Sequence, residues 1–394
     1  MMPPETEHYQ DIKDKDSGKS KKIMIVAGEA SGDLHGGNLV RSLRRIDPEI
    51  RFYGVGGRHL KDAGVKLIAD SADMAVVGLT EVVFKLGMIW KVMSTLKASL
   101  REDRPDLLIL IDYPDFNLPL AEAAKKHGVK VFYYISPQVW AWRKGRINKI
   151  KKIVNKIAVI LPFEASLYKE AGMDAVFVGH PLLDVVKTKY TRKEALARFG
   201  LSEGVTTVGL LPGSRQSEVQ RLLPAMLLVA GKIKEKIKAV QYVLPLADTL
   251  DSDFVAHIIA QQPVAVKIIP GETYDVLNCA DIAIVASGTA TLETALMETP
   301  MIIVYKVSKT SYSVGKMIIN VNNIGLVNII AGKTIVPELI QDEANPERIA
   351  DEVISLLENR ERLEWIKAEL SKIRGMLGSP GASDRAARLA YEML

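Results

Sequence analysis

Short runs of β-branched and other apolar residues alternate, from Lys22 onward, with longer segments in which apolar residues recur at helical spacing. This alternation is typical of parallel βαβ units. The first part of the chain has six predicted strands: Ile23–Ala27, Arg51–Val55, Leu107–Ile111, Val129–Tyr134, Ile157–Leu161 and Ala175–Val178. The second part has five: Thr206–Leu211, Val240–Pro245, Ala265–Ile269, Ile282–Val285 and Met301–Val304. The last fifty residues, from Asn345, are predicted to be helical.

The two series of strands are separated by Gly179-His180-Pro181 and by a polar stretch, 187–203, that lacks strand character. We therefore predict an α/β fold with two Rossmann-like, doubly wound domains, 22–186 and 187–394, and a helical C-terminus. A length of 394 residues fits this division, because one hydrophobic core stops growing well below that size. The charged residues 1–21 are predicted to form a flexible tail. The ligand crevice is expected between the carboxyl ends of facing strands.

Composition narrows the class of protein. The chain is 48% hydrophobic and 25% charged, which excludes a mainly disordered protein, and its net charge of +5 does not by itself indicate nucleic-acid binding. A single cysteine, Cys279, cannot form an internal disulfide and suits a reducing compartment. The six histidines lack zinc-ligand spacing, and no segment is apolar enough for a transmembrane helix. A cytoplasmic location is expected.

Three familiar ligand motifs are absent or incomplete. The glycine-rich segments 28–32 and 54–57 both miss the spacing of the dinucleotide fingerprint, which disfavours a nicotinamide enzyme. The segment 331–334 imitates the end of a P-loop, but Val327 stands where the required glycine should be. The triplets 14–16 and 251–253 carry paired aspartates, which we interpret as solvated or helix-capping carboxylates rather than metal ligands.

Two turns of small residues follow strands of the second series and open helices. The first is Pro212-Gly213-Ser214-Arg215, where free backbone N–H groups, the positive end of the helix dipole and a guanidinium suit a phosphate. The second is Ser287-Gly288-Thr289, with Glu293 about one and a half turns into the helix, within reach of a ribose. The alternatives are a routine βα turn and an exposed acidic helix former. Two such turns in one domain can bind one diphosphate.

Carboxylates also follow a strand of the first series. Ile111-Asp112-Tyr113-Pro114-Asp115-Phe116-Asn117 begins at the end of an apolar strand, where an α/β enzyme keeps its acid or base. One of the two aspartates, or Asn117, could instead cap the following helix. Gly28-Glu29-Ala30-Ser31-Gly32-Asp33 forms a third loop at the same edge.

Three segments suggest contact with lipid or sugar. The loop 136–143 combines Trp140, Trp142 and Arg143, although half-buried packing is the alternative for its tryptophans. The stretch 143–156 holds seven basic and no acidic residues with isoleucines at helical spacing, which predicts an amphipathic basic helix. The stretch 74–100 is rich in large apolar residues and suits either a lipid-facing surface or a core helix.

Six blocks, in this order, closely resemble the lipid A disaccharide synthase family: GEASGD at 28–33, VVGLTEV at 76–82, IDYPDFN at 111–117, SPQVWAWR at 136–143, LLPGSR at 210–215 and ASGTATLE at 286–293. The resemblance extends from about Lys22 to the end of the chain. It implies an inverting glycosyltransferase of GT-B architecture that needs no metal and no cofactor. Such an enzyme joins UDP-2,3-diacylglucosamine to 2,3-diacylglucosamine 1-phosphate and releases UDP.

The resemblance also implies roles for individual residues. It assigns the catalytic base to Asp115 and adds Asn328 on the nucleotide side, for which a loop-capping role is the alternative. The expected substrate-binding residues are Glu29, Ser31, Gly32, Asp112, Asn117, Trp140, Arg143, Gly213, Ser214, Arg215, Ser287, Gly288, Thr289, Glu293 and Asn328.

The expected partners are the UDP-sugar donor, the acylated acceptor and the cytoplasmic face of the inner membrane, with no nucleic acid and with a homodimer left open. Another UDP-sugar transferase or a UDP-GlcNAc 2-epimerase would share the nucleotide domain. A basic membrane-binding module without enzymatic activity is a third hypothesis. The paired nucleotide-type turns count against it.

Overall fold

The first part of the chain folds into a seven-stranded parallel sheet in the computed structural model, which describes residues 20–71, 81–137, 139, 146–306 and 323–394, and only the backbone of 81–86. The strands run in the spatial order β3-β2-β1-β4-β5-β6-β7. Their bounds are β1 Lys22–Ala27, β2 Arg51–Gly56, β3 Lys66–Asp70, β4 Leu107–Ile111, β5 Lys130–Tyr134, β6 Lys156–Val159 and β7 Ala175–Phe177. The order reverses between β1 and β4, so the loops after these two strands border a crevice.

Helices cover both faces of this sheet. They are α1 Ala30–Ile46, α2 Arg58–Asp62, α3 Glu81–Glu102, α4 Pro114–Lys126, α5 Arg146–Ile153, α6 Glu164–Glu170 and α7 Leu182–Val185. Alternate residues of β1 belong to different core clusters: Ile23 and Ile25 share one with Leu39 of α1, whereas Met24 shares the other with Leu96 of α3. Burial on both faces explains why β1 is a continuous apolar run.

A second parallel sheet has six strands in the order β10-β9-β8-β11-β12-β13. Its strands are β8 Thr206–Leu211, β9 Val240–Leu246, β10 Val266–Pro270, β11 Ile282–Ala286, β12 Met301–Tyr305 and β13 Glu338–Ile340. Its helices are α8 Arg192–Phe199, α9 Gln216–Lys236, α10 Ser252–Ile259, α11 Thr273–Cys279, α12 Thr289–Leu296 and α13 Leu326–Ala331. The order reverses between β8 and β11, which are the strands that precede the two small-residue turns.

The chain ends in three helices, α14 Pro346–Glu358, α15 Arg360–Met376 and α16 Ala382–Tyr391. The last of them returns to the first sheet and packs on α1. Arg45 Nη2 lies 2.5 Å from Asp384 Oδ1, and Lys130 Nζ donates a hydrogen bond to the carbonyl of Met393 at 2.6 Å. The C-terminal helices therefore tie the two sheets together.

All eleven predicted strands are confirmed within two residues at each end, and the helical C-terminus is confirmed. Strands β3 and β13 were not predicted: β3 is an edge strand that starts and ends on exposed charged residues, and β13 has three residues. The capping interpretation of Asp251 is confirmed, since its side chain accepts a hydrogen bond from Asp253 N at 2.8 Å at the start of α10. The tail before residue 20 lies outside the described residues, and the domain boundary after residue 186 stays a prediction.

Two histidines lie buried near the connection between the sheets. His35 of α1 is 4% exposed, and His180, between β7 and α7, is 3% exposed. Burial lowers the pKa of His35 to about 4, helped by the charge of His59, and lowers the pKa of His180 to about 3, helped by His35. His180 Nδ1 accepts a hydrogen bond from Leu182 N at 3.2 Å, which fixes its neutral form.

We expect these histidines to make folding sensitive to acid. The pKa of each buried imidazole is lower in the folded protein than in the unfolded chain. The contribution of the neutral imidazole to folding stability is therefore complete above about pH 6.5 and is lost as the pH falls toward 4. The loss is about 2 kcal/mol for each imidazole between pH 6.5 and pH 5. Urea unfolding at pH 7 and pH 5 measures the loss. The variant His180→Asn, whose Oδ1 can accept the same N–H, should lose less stability than the wild type over this range. Equal losses in the two proteins would contradict the assignment.

Candidate active site

Loops from the two sheets meet at one place. Arg215, at the start of α9 in the second sheet, places Nη2 3.0 Å from Oε2 of Glu29, at the start of α1 in the first sheet. The charge of Glu29 in turn raises the pKa of Asp112, which directly follows β4. Three of the sequence-predicted loops are therefore brought together, at the crevice edge that the strand order predicts.

The backbone at Asp112 has an unusual conformation. Asp112 and Tyr113 both have positive φ, 44° and 47°, a conformation that costs about 1–3 kcal/mol for each such residue and persists only where the surroundings enforce it. Asn117 is buried, and its Nδ2 donates hydrogen bonds to the carbonyls of Ile111 at 3.2 Å and Asp112 at 2.7 Å. Tyr133 donates its hydroxyl to the same Asp112 carbonyl at 2.6 Å. Asn117 therefore stabilises the turn through its backbone and does not line the crevice.

Gly28 makes room for this turn. A Cβ on Gly28 would lie 2.1 Å from Cδ1 of the Tyr113 ring, so no other residue fits without moving the ring. On its other side the ring of Tyr113 stacks on Phe116, with 5.6 Å between centroids. The turn after β4 is thus packed against the loop after β1.

The pKa of the Asp112 carboxyl group is shifted toward neutral pH. Burial and, after it, the nearby charge of Glu29 raise its pKa to about 6, against smaller lowering effects from the Tyr113 N–H and Arg215. A carboxylate with a pKa close to the working pH is suited to accept a proton in a general-base step.

Asp115 has a different environment. It lies in the first turn of α4, its side chain is 83% exposed, and its Oδ1 is 2.5 Å from Nη2 of Arg146. These environments favour Asp112 as the proton acceptor, whereas the resemblance assigns the base to Asp115, and that assignment stays a prediction.

The turn before α9 differs in one respect from its expected form. Gly213 has a φ of 116°, and a Cβ there would meet Oε2 of Glu218 at 2.3 Å, which explains the glycine. The backbone N–H groups of Ser214 and Arg215 donate to that same oxygen at 3.2 and 3.3 Å. These N–H groups were expected to be free, but Glu218 caps them. The three-residue spacing from Arg215 to Glu218 is a capping pattern that the sequence already contained.

The turn before α12 is more open. Gly288 is the N-cap residue with a φ of 155°, and a Cβ built on it meets no atom within 4 Å. The N–H of Ser287 is used in the sheet, where it donates to the carbonyl of Val304 at 3.0 Å. The helix start at Gly288 and Thr289 is therefore the part of this turn that a phosphate can approach.

Glu293 is not an exposed helix former. Its Oε1 accepts a hydrogen bond from the hydroxyl of Tyr274 at 3.0 Å, and burial raises its pKa while that hydrogen bond opposes the rise. Tyr274 comes from α11, nineteen residues earlier in the chain, and no local pattern indicated the pair. The alternative proposed from the sequence, that Glu293 is an exposed acidic helix former, is therefore wrong.

The side chain of Asn328, in α13, makes its hydrogen bonds within the second sheet. Its Nδ2 donates to the carbonyl of Val336 at 2.9 Å and to Glu338 Oε1 at 2.6 Å. Its Oδ1 accepts from the N–H groups of Ile335 and Val336 at 2.7 and 3.1 Å. The buried side chain uses its amide donors and its acceptor within the sheet, which is what the loop-capping interpretation predicts, and a contact with the nucleotide stays a prediction.

The glycine-rich start of α1 contributes close packing as well as polar groups. Gly32 is buried, and a Cβ on it would lie 3.5 Å from Cγ2 of Ile111, while Ser31 stays partly exposed beside it. Asp33 is a residue that the sequence did not single out by itself. Its carboxylate accepts the N–H groups of Gly57 at 2.6 Å and Leu60 at 3.1 Å, and so caps the start of α2.

The tryptophan loop is only partly described. Trp140 and Arg143 lie outside the described residues, as does most of the block at 76–82. At the base of the loop, buried Ser136 donates its hydroxyl to Glu164 Oε1 at 3.3 Å. Val139, within the loop, is 2% exposed.

Two other kinds of feature are absent from the described ranges. No group of three or more His, Cys, Asp and Glu side chains there has an arrangement that could hold a metal ion. No helix in the same ranges combines the length and apolar character needed to span a bilayer.

Comparison with known proteins gives consistent results over most of the chain. The profile of the family described as lipid-A-disaccharide synthetase matches residues 23–391. The lipid-A-disaccharide synthase of Syntrophus aciditrophicus is 59% identical over 376 residues, which is 95% of this chain and 98% of that protein.

Solved structures extend the likeness to the fold. The UDP-GlcNAc 2-epimerase from Neisseria meningitidis bound to UDP-GlcNAc has a TM-score of 0.62 at 13% identity, covering 94% of this chain and 98% of its own. CalG4, the calicheamicin glycosyltransferase, has a TM-score of 0.59 at 14% identity, covering 95% and 98%. The expected GT-B architecture is thereby confirmed.

Proposed function

The chain belongs to the lipid-A-disaccharide synthetase family, and we propose on that premise that it transfers the acylated glucosaminyl unit of UDP-2,3-diacylglucosamine to 2,3-diacylglucosamine 1-phosphate, with release of UDP. The family match over residues 23–391 is the observation that carries this proposal. The crevice adds independent support, because it sets a carboxylate of raised pKa at the end of one sheet near an arginine of the other.

Asp112 takes the role of general base in this scheme. It removes the proton from the acceptor's 6-hydroxyl as the oxygen attacks the anomeric carbon of the donor, on the face opposite to UDP. The glycosidic bond to UDP breaks as the new bond forms, so the configuration inverts. With a pKa of about 6, Asp112 is mostly ionised at neutral pH and is a stronger proton acceptor than an ordinary carboxylate.

The second sheet receives the donor. The guanidinium of Arg215 and the N–H groups at Gly288 and Thr289 stabilise the negative charge that grows on the departing diphosphate. Ser287 contributes its hydroxyl, and Gly213 and Ser214 shape the turn that presents Arg215. Glu293, oriented by Tyr274, accepts hydrogen bonds from the ribose.

The acceptor lies on the side of the first sheet. Glu29 and Ser31 border that side at the start of α1, and both are partly exposed. We assign sugar or acyl-chain contact to Trp140 and phosphate contact to Arg143.

An epimerase of the same fold is the competing function. The likeness to the Neisseria enzyme concerns the fold, whereas the sequence match concerns the synthase family. The two activities differ in their need for an acceptor. If the proposal is correct, UDP appears from UDP-2,3-diacylglucosamine only when the acylated glucosamine 1-phosphate is added. Conversion of UDP-GlcNAc to its 2-epimer without an acceptor would indicate the epimerase instead.

Acylated substrates require an apolar surface, and two exposed features of the first sheet can provide a membrane contact. On α3, Trp90 is 74% exposed and Met88 is 45% exposed, while Ile89 and Met93 of the same helix pack toward the core. On α5 the isoleucines face the core and the lysines are exposed. Lys149 is paired with an acid, Glu122, at 2.9 Å, so its charge is partly neutralised.

We propose that this surface binds peripherally to the inner membrane, and flotation with liposomes tests it. Each lysine near anionic lipid contributes about 1 kcal/mol, so binding should need anionic lipid and weaken with salt. It should fall in Trp90→Glu and in the double variant Lys151→Glu, Lys152→Glu. Trp365→Glu on α15, where the tryptophan is 45% exposed, is the matched control and should float like the wild type.

Two outcomes would contradict this proposal. Equal recovery with neutral vesicles at every salt concentration would remove its electrostatic part. Absence of vesicle binding under all conditions would remove the docking itself.

A further inference from the structure

Two neighbouring strands of the first sheet end in strained backbone. Asp112 and Tyr113, after β4, have φ values of 44° and 47°, and Ile135, after β5, has a φ of 61°. Such values are uncommon in residues other than glycine and are exceptional for a β-branched residue such as isoleucine. The two positions are joined, since the N–H of Asp112 donates to the carbonyl of Ile135 at 3.1 Å. Strain of this kind persists only where surrounding contacts enforce it, and it concentrates at functional sites.

The contacts that enforce the turn after β4 converge on one atom. The carbonyl oxygen of Asp112 accepts two hydrogen bonds, from the hydroxyl of Tyr133 at 2.6 Å and from Nδ2 of Asn117 at 2.7 Å. A carbonyl oxygen has two lone pairs, so both are used. Tyr133 belongs to β5, where it lies opposite Leu110 of β4. The peptide between Asp112 and Tyr113 is therefore fixed in its orientation from within the sheet.

The orientation of this peptide sets the position of both aspartates that follow β4. Asp112 lies on one side of it, and Tyr113, on the other side, is the N-cap residue of α4, whose first turn contains Asp115. A rotation of the peptide therefore moves the Asp112 side chain and the start of α4 together. The dependence holds for Asp112, the base in the proposed mechanism, and equally for Asp115.

The turn lies at the crevice, whereas Tyr133 lies in the core. The ring of Tyr113 closely approaches Gly28, on which a Cβ would be 2.1 Å away, and the next residue, Glu29, pairs with Arg215 of the second sheet at 3.0 Å. Tyr133 is 0% exposed, so a substrate does not reach its hydroxyl. That hydroxyl can act on the reaction only through the turn.

We propose that Tyr133 is a positioning residue for the transfer reaction: its hydroxyl, together with the amide of Asn117, holds the strained turn after β4 and so keeps the catalytic carboxylate in place at the crevice. The inference rests on the proposed function and deepens it, because it adds a buried residue of β5 that the sequence motifs do not include. The buried hydrogen bond offsets the strain. Without it, the peptide between Asp112 and Tyr113 relaxes toward negative φ.

The variant Tyr133→Phe tests the proposal, because it removes the hydroxyl and keeps the ring in the core. With both acylated substrates saturating, kcat should fall by about 10- to 100-fold, since a misplacement of about 1 Å at the reacting groups costs rates of this order. UDP binding, measured by titration calorimetry, should stay unchanged, because the second sheet receives the donor.

Tyr242→Phe is the matched control. Tyr242, near the amino end of β9, is also buried, and its hydroxyl also donates to a backbone carbonyl, that of Ala230, at 2.6 Å. The two variants lose the same kind of hydrogen bond, so their melting temperatures should fall by similar amounts, but only Tyr133→Phe should lose turnover. Equal kcat values in the two variants would show that the Tyr133 hydroxyl is merely structural, and would overturn the proposal.

A double-mutant cycle identifies the group through which Tyr133 acts. If the hydroxyl positions Asp112, Tyr133→Phe should lower kcat much less in an Asp112→Asn background than in the wild type, because residues that act as a unit are not additive. Full additivity both with Asp112→Asn and with Asp115→Asn would contradict the positioning role.

The outcomes separate this inference from the proposed function. A wild-type protein that forms no disaccharide from the two acylated substrates contradicts the proposed function. An active wild type beside an equally active Tyr133→Phe contradicts only the role of Tyr133.

Discussion

Replacing Asp112 by Asn should lower kcat by about 10²–10⁴-fold while UDP binding is retained. The loss is the usual contribution of a positioned general base, and the amide cannot accept the proton of the acceptor hydroxyl. Asn tolerates the positive φ of this position better than most residues, so the turn after β4 should persist. Steady-state transfer rates and calorimetric UDP binding measure the two halves of the prediction.

Asp115→Asn is the matched control for that experiment. It makes the same chemical change three residues away, at a side chain that is 83% exposed and paired with Arg146. We expect its kcat to fall by less than about fivefold, since an exposed ion pair contributes little. A crippled Asp115→Asn beside a mildly affected Asp112→Asn would reverse the assignment of the base.

Replacing Arg215 by Ala should weaken UDP binding by about 10- to 100-fold, the range for losing hydrogen bonds between charged groups. Transfer should slow by about 10²–10³-fold, because the negative charge on the leaving diphosphate grows in the transition state. Calorimetry and steady-state kinetics measure the two effects. Arg198→Ala is the control: it removes a guanidinium of α8 that stacks on Tyr190 at 5.0 Å, and it should leave both quantities unchanged.

Excess EDTA adds a further condition to the Arg215 experiment. In the proposed mechanism, the guanidinium of Arg215 and the backbone N–H groups stabilise the leaving group. Wild-type transfer should therefore be insensitive to the chelator. Activity abolished by EDTA and restored by magnesium would contradict that part of the account. So would undiminished UDP binding by Arg215→Ala.

Much of the fold was readable from the sequence because parallel strands buried on both faces are continuous apolar runs. β1 and β4 are such runs, and both were predicted within one residue of their ends. The loops that follow them were predicted to meet because the carboxyl ends of neighbouring parallel strands lie at one edge. The contact of α16 with α1 had no sequence signal, since it depends on how the chain returns after Leu377.

The sequence predicted the loops that form the candidate site but not the role of each residue in them. Asp112 and Asp115 are both aspartates after the same strand, and they differ in burial and neighbours, which the sequence does not display. Asn117 and Asn328 have the polar side chains of ligand-binding residues, yet the Nδ2 of Asn117 donates to backbone carbonyls and the amide of Asn328 bonds backbone groups and Glu338. Contacts across the crevice, such as the one between Glu29 and Arg215, join residues 186 positions apart and exist only in the folded chain.

Product analysis tests the central claim most directly. The purified protein is incubated with UDP-2,3-diacylglucosamine and 2,3-diacylglucosamine 1-phosphate, and the lipid product is examined by mass spectrometry and by NMR of its anomeric proton. The account predicts a tetra-acylated disaccharide 1-phosphate with a β-1′,6 linkage, formed by the wild type and, at the same enzyme concentration, lost in Asp112→Asn. Absence of this disaccharide from the wild-type reaction, or a product with retained α configuration, would contradict it.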